Sequence, residues 1–332
     1  LDTDPSLLEY FKPHRPLREG LEYVDRNGGS NPLTLVVAEA DGRPLNHKDA
    51  YKDLWTLQTA LEEHKGVGTV VSLPLLVAEG RRRPLSFLVS TEHILKTLDE
   101  PKYGRVARTF ITPDRMQAAF YLRMVERDRT RPRAEVVDNL RAVVRRSGFK
   151  TVLAGGIYRL EGDLAALVAS SVTTGLLWLM LLFTIIAVIV ARSIRGAAAM
   201  IVSLSLVPLC MLGGVGLLRV PVDIISAPAT NICIGMAIDS MVHLMFGVRR
   251  AERDGKEGWS AWIAGREEQW RGIVYSDVII AAGFAIFVLS DFPPTQRFGL
   301  VVVFGTIIDI LGNLFVLPLL GGASLKRSRI HT

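Results

Sequence analysis

The hydrophobic pattern of this chain changes character near residue 164. Before that point apolar residues come in short runs and amphipathic stretches broken by charge; after it they fill long blocks. A membrane span needs about 20 apolar residues to cover about 30 Å of hydrocarbon. Five segments approach or exceed that length: 164–191, 197–218, 222–247, 273–290 and 298–320. The first is longer than a bilayer requires, so residues 164–174 are expected to project from the membrane toward the preceding domain.

Residues 1–163 carry shorter periods. Leu33–Ala40 is a β-branched apolar run that predicts a strand. His47–His64 predicts a helix with Tyr51, Leu54, Leu57 and Leu61 on one face, and Gly66–Leu73 a second strand. Glu79–Pro84, with Arg81, Arg82 and Arg83, reads as loop. Arg105–Ile111 and Met116–Glu126 read as extended segments, Ala134–Ser147 as a helix and Phe149–Ala154 as a strand. The order predicts an α+β chain: a split βαβ (ferredoxin-like) domain over 1–163, a bundle of five spans over 164–320, and a tail over 321–332.

Composition sharpens this division. The 332-residue chain has a formal net charge of +6, 22% charged residues, two cysteines and a mean hydropathy of +0.29, which excludes a disordered tail, a disulfide-stapled module and an ordinary soluble enzyme. Residues 1–163 hold 26 Lys/Arg and 23 Asp/Glu, against 13 and 10 in the rest, so the charge is concentrated outside the apolar blocks. Cys210 and Cys233 both fall inside spans and read as small packing residues.

Orientation follows from the basic residues in the connections. With residues 1–163 outside, the inner connections carry Arg192, Arg195, Arg249, Arg250, Arg253, Lys256, Arg266, Arg271, Lys326, Arg327 and Arg329, and the outer ones only Arg219 and Arg297. That bias places 1–163 on the extracytoplasmic side and the tail in the cytoplasm. Five spans with an outside N-terminus imply one more span upstream of Leu1, completing a six-helix bundle in a longer chain.

No catalytic constellation emerges in residues 1–163. His14, His47, His64 and His93 lack metal-ligand spacing, no Gly-rich phosphate loop precedes a helix, and no cofactor or metal is expected. The basic residues Arg123, Arg127, Arg129, Arg131 and Arg133, interleaved with Glu126 and Asp128, read as a solvated loop, with contact to anionic headgroups as the alternative.

The spans hold the candidate chemistry, because an ionisable group in hydrocarbon costs at least ~2.5 kcal/mol on insertion scales. Asp239, Asp277 and Asp309 stand out. Asn231, Gly235, Asp239 and His243 recur every fourth residue and predict a polar stripe facing the bundle interior, with His243 placed to relay a proton to or from Asp239. Gly305, Asp309 and Asn313 repeat the spacing, so Asp239 and Asp309 are expected to form a buried pair on facing stripes. Asp277 is expected about 6 Å from the cytoplasmic end of its span, within reach of interfacial water.

The stretch NICIGMAIDSMVHLMFGVRR, Asn231–Arg250, resembles the signature span of the resistance, nodulation and division (RND) superfamily. The likeness is to its MMPL (mycobacterial membrane protein large) and hopanoid-exporter-like branch. SDFPPTQRFGL (Ser290–Leu300), DILGNLFVLPLL (Asp309–Leu320) and the opening LLEYFKPHRPLREGLEYVDRNGGSNPL (Leu7–Leu33) are similar to segments in the same order, so the resemblance covers nearly the whole chain. It implies the C-terminal half of a proton-driven exporter of lipids or other hydrophobic or amphiphilic molecules in a bacterial inner membrane. On that reading residues 1–163 are a periplasmic porter domain and the spans are the last five of twelve.

Gly235 and Asp239 match the family's GxxxD motif. Ser240 stands where many lipid-exporting relatives have Tyr, and Asp277 where Ser or Thr is expected. The implied partners are a lipid or hydrophobic substrate, protons, the first half of the same chain, periplasmic carrier proteins and further copies in an oligomer, and not nucleic acid. A protein-translocation auxiliary or sterol-sensing relative shares the GxxxD span and remains the alternative. An intramembrane aspartyl protease needs GxGD, where this chain has GMAID.

Overall fold

The structure, a computed structural model, describes residues 2–47, 49–81, 90–103 and 105–323. Its contacts divide the chain into two units, Ser6–Leu164 and Leu1–Pro5 with Ala165–Thr332.

In the first unit a 3₁₀ turn (Leu7–Tyr10) precedes helix α1 (Pro16–Arg26), which has Pro at its first position as a helix start favours. Strand β1 (Asn31–Glu39), helix α2 (Ala50–Glu62) and strand β2 (Val67–Ser72) follow. Three short helices come next: α3 (Leu73–Arg81), α4 (Thr91–Leu98) and α5 (Val106–Phe110). Strand β3 (Ala118–Met124), helix α6 (Arg133–Arg146) and strand β4 (Phe149–Gly155) close the unit. The strands form one sheet in the order β2-β3-β1-β4, with every pairing antiparallel. This is the split βαβ arrangement that the alternation of short strands and helices predicted.

Leu33, Leu35 and Val37 point to one face of β1. On that face they pack with Leu122 and Phe120 of β3, with Leu54, Leu57 and Leu61 of α2, and with Val137, Leu140 and Val144 of α6, all at most 1% exposed.

Three expectations change here. Arg105–Ile111 is a single helical turn, not a strand: Arg105 enters it with φ 61°, Ala107 and Phe110 are buried three residues apart, and only Ile111 makes a bridge, to Ala118. Within Glu79–Pro84, residues 79–81 finish α3, while Arg82, Arg83 and Pro84 lie outside the described residues. Arg133 is not on a solvated loop; it is 2% exposed. Its guanidinium grips Glu126 through bonds of 2.8, 2.9 and 3.2 Å, meets Glu161 at 3.1 Å, and lies over the Tyr158 ring at 5.5 Å. Asn31 donates to both carboxylates. Burial is tolerable because charge and hydrogen bonds are matched. The neighbouring arginines remain paired nearer the surface, Arg127 with Asp128 and Arg131 with Glu135.

Helix α7 (Ile157–Ala191) starts within the first unit and continues from Ala165 as part of the second, which also contains α8 (Ile194–Leu217), α9 (Pro228–Arg253), α10 (Trp259–Ala285), α11 (Pro293–Leu311) and α12 (Leu317–Ala323). A 3₁₀ turn over Ile286–Leu289 extends α10, and a π-turn over Gly312–Val316 joins α11 to α12. Five of these continuous segments are long and apolar enough to cross a membrane. Leu177, Trp178 and Ile189 of α7 and Ile279 of α10 are each at least 67% exposed, the outward apolar surface that lipid rather than water favours.

Two span boundaries move for local reasons. Residues 222–227 form a turn, not helix, because Asp223 Oδ1 accepts from the backbone N–H of Ile225 and Ser226, and Pro228 then starts α9. The connection 248–272, expected as a cytoplasmic loop, is mostly helix; only 254–258 lie between α9 and α10. Gly265 permits the close crossing of these helices, since a Cβ there would stand 2.5 Å from the Val248 nitrogen. Arg250 pairs with Glu268 across the same hairpin at 2.5 Å. Arg249 donates to the Ala191 carbonyl at 2.7 Å, satisfying the C-terminal end of α7. Lys326, Arg327 and Arg329 lie outside the described residues.

Candidate functional site

Helix α9 has two chemically distinct faces. One carries Cys233, Ala237, Ser240, Met241, Leu244 and Val248, all buried against the other helices of the unit. Small and apolar residues at three- and four-residue spacing make this the packed face. The opposite face carries Asn231, Gly235, Asp239 and His243. The Asp239 side chain is 75% exposed and that of His243 61%, with Nε2 and Oδ1 3.8 Å apart. The fourfold spacing therefore does form a stripe, but the stripe does not face the interior of these helices. The apolar face occupies that position, and the polar face is what remains.

The expected buried pair of Asp239 and Asp309 is accordingly replaced by another. Asp309 of α11 is 1% exposed and Asp277 of α10 2%. The Asp309 carboxyl faces the Asp277 carboxyl and the Ser240 hydroxyl, and its Oδ1 accepts from Asn313 Nδ2 at 2.5 Å. Asp277 lies about 27 Å along α10 from Trp259 at ~1.5 Å per residue, because α10 begins 14 residues earlier than the expected span. It is a mid-helix residue, not one near a helix end.

Gly305 lets α11 approach closely, since a Cβ there would fall 2.4 Å from Cys233 Sγ and 2.8 Å from Met211 Sδ. The π-turn places the buried Asn313 one turn past Asp309, and Ser203 of α8 donates to the Gly312 carbonyl at 3.2 Å. Such turns occur often at functional sites. Asp277 Oδ2, Asp309 Oδ2 and Asn313 Oδ1 are buried without a hydrogen-bond partner. Two carboxyls in such surroundings require a shared proton or a cation between them.

Asp239 links the two arrangements. It is close enough to Asp277 for its charge to be felt there, though it stands on the outer face of α9.

Other groups escaped the sequence. Asp223 and Arg297 form an ion pair at 3.4 Å with Asp223 fully buried, which joins the turn before α9 to the first turns of α11. In the first unit Glu39, His47 and Asp53 come together in a group able to hold a metal ion. Glu39 contacts His47 there and is also bound by Arg43 at 3.3 Å, which supplies positive charge to the group. No His–Glu–Asp spacing signalled it, because a strand end, a loop and a helix each contribute one member.

A four-stranded split βαβ unit followed by five helices long and apolar enough to cross a membrane, with buried carboxyls among them, defines a multi-pass membrane protein. The MMPL family model matches residues 19–326, and the chain belongs to the MMPL family. Its fold is also that of a crystal structure of a heavy metal efflux pump, with a TM-score of 0.55 at 15% identity, over 90% of this chain and 35% of the pump. The chain thus spans about a third of that pump's length. No curated protein matches it.

Proposed function

We propose that the chain acts as the C-terminal part of an RND-type exporter of lipids or other hydrophobic or amphiphilic molecules, driven by proton flow and not by an enzymatic reaction. Its place is a bacterial inner membrane, with residues 1–163 extracytoplasmic and the chain's end in the cytoplasm. The observation that carries the proposal is the exposed stripe of Asn231, Asp239 and His243 on a membrane-capable helix, backed by the buried Asp277–Asp309 pair.

A carboxylate facing hydrocarbon is costly, so the stripe requires a polar counterpart or a water-filled cavity. Family membership supports a second set of helices in that position. A proton crossing the membrane field supplies ~2.3 kcal/mol per 100 mV. His243, one turn from Asp239, hands protons to it. Each proton that neutralises Asp239 removes a negative charge felt at Asp277 and so alters the balance of the buried pair. Helix movement follows from that altered balance. Substrate passes between the extracytoplasmic domain, further copies or periplasmic carriers, and the membrane.

Reconstitution tests the proposal. Vesicles containing the full-length protein and a fluorescent amphiphile should show amphiphile movement only when a proton gradient is imposed. Equal movement with and without the gradient would contradict it.

A further inference from the structure

Glu39, His47 and Asp53 come from the end of β1, the loop after it and the first turn of α2, and one ligand atom of each lies within 4.8 Å of the others. The Glu39 side chain is 6% exposed and that of His47 23%, while Asp53 is half-buried. Backbone contacts fix the loop that brings them together. Gly42, at φ 80°, donates its N–H to the Glu39 carbonyl and turns the chain back, and the buried Leu45 donates to the Arg115 carbonyl at 2.7 Å.

The three groups do not satisfy one another. Glu39 Oε1 meets His47 Nε2, and Glu39 Oε2 is taken by Arg43 at 3.3 Å, whose Nε is held in turn by Asp41. Asp53 has neither a hydrogen bond nor an ion pair among the described residues, and shares only the more distant charge of Arg43. Three carboxylates, Glu39, Asp41 and Asp53, therefore stand against the one guanidinium of Arg43. A half-buried carboxylate left without a partner, beside an imidazole and a second carboxylate, is an arrangement that a metal ion completes.

Ligand chemistry narrows the ion. Imidazole suits zinc and its transition-metal neighbours, whereas calcium and magnesium take oxygen ligands. Zinc ligands about 2.1 Å from the metal stand about 3.4 Å apart at tetrahedral angles, a spacing that small side-chain rotations reach here, and three protein ligands leave the fourth position to water. Arg43 stays on Glu39 Oε2 and turns the other oxygen toward the ion, the outer contact that orients a ligating carboxylate.

We propose that Glu39, His47 and Asp53 form a binding site for a divalent metal ion of the zinc class. The bound ion ties the end of β1 to the first turn of α2 across the loop between them. The site belongs to the split βαβ unit and does not depend on the exporter reading.

The experiment is ⁶⁵Zn²⁺ binding to the purified, untagged full-length protein in lipid nanodiscs, with the melting temperature followed in parallel. The wild type should bind zinc saturably, with magnesium or calcium at equal concentration displacing little of it, and its melting temperature should rise with zinc concentration. His47→Gln and Asp53→Asn should each weaken this binding at least tenfold and abolish the rise. Asp53→Asn breaks no hydrogen bond, so it tests the site without disturbing the fold. His93→Gln, at an exposed histidine outside the group, should change neither readout. No saturable zinc binding by the wild type, equal binding by the wild type, His47→Gln and Asp53→Asn, or ready displacement by magnesium or calcium would overturn the proposal. Because no substrate is moved in this assay, failure of the exporter reading leaves its result intact.

Discussion

Asp239 and Ser240 are consecutive residues about 100° apart around one helix, and they differ sharply in burial: the Asp239 side chain is 75% exposed, and Ser240, at 7%, faces the buried Asp309. One residue step along α9 thus separates an outer polar stripe from an inner carboxyl cluster. Substitutions on the two sides should differ in kind.

On the inner side, Asp309→Ala leaves the buried Asn313 Nδ2 without its acceptor and should destabilise the protein by about 1–3 kcal/mol. Asp309→Asn keeps an acceptor oxygen and should cost less. Thermal unfolding of the two variants in detergent checks the order, and an Asp309→Ala protein as stable as Asp309→Asn would contradict the assigned hydrogen bond.

The α9–α10 crossing is a second target. Gly265→Ala would put a methyl group 2.5 Å from the Val248 nitrogen, a backbone atom that cannot swing aside. Overpacking of this sort costs about 1–3 kcal/mol, so the melting temperature should fall. Gly213→Ala, where a Cβ meets nothing within 4 Å, is the control and should be close to neutral.

In the split βαβ unit, Arg133→Met removes the partner of two buried or half-buried carboxylates, Glu126 and Glu161. Breaking a buried pair from one side costs about 3–5 kcal/mol. Arg131→Ala, which loses only an exposed pair with Glu135, should stay within about 0.5 kcal/mol of wild type. Chemical denaturation measures both, and similar losses for the two arginines would contradict the burial of Arg133.

His64 adds a pH signature. Burial, and then the nearby Arg131, hold its imidazole below the ordinary histidine value of 6.5. The unfolded chain therefore binds this proton more tightly than the folded one. Stability is intact above about pH 6.5 and declines as pH falls through that value toward the lowered one. His64→Gln should flatten the decline in melting temperature between pH 7 and 5. An identical slope in the variant would show that His64 does not contribute.

Much of this architecture is legible in sequence because the signals are local. Uninterrupted apolar runs mark the membrane-capable helices, and Leu33, Leu35 and Val37 alternate as a strand with one buried face must. The extended reading of Arg105–Ile111 misjudged a single turn whose Ala107 and Phe110 are buried at helical spacing. The charged residues of 254–271 concealed the start of α10, which packs through Gly265 and through Trp262 against Gly321. At the site, i,i+4 spacing establishes that Asn231, Gly235, Asp239 and His243 share a face, but it does not say which face is packed. That depends on the opposite row of Cys233, Ala237 and Leu244. Asp277 paired with Asp309 instead of Asp239 for the same reason, and Arg133 went inward because Glu126 and Glu161, far apart in sequence, meet it there.

Asp239→Asn in the full-length protein, measured as amphiphile transport in vesicles under an imposed proton gradient and as melting temperature, tests proton coupling through α9. Because asparagine matches aspartate in size and keeps an acceptor oxygen, the melting temperature should stay close to that of wild type, while transport should fall at least tenfold. Transport at the wild-type rate in a normally folded Asp239→Asn protein would show that this stripe does not handle the coupling proton.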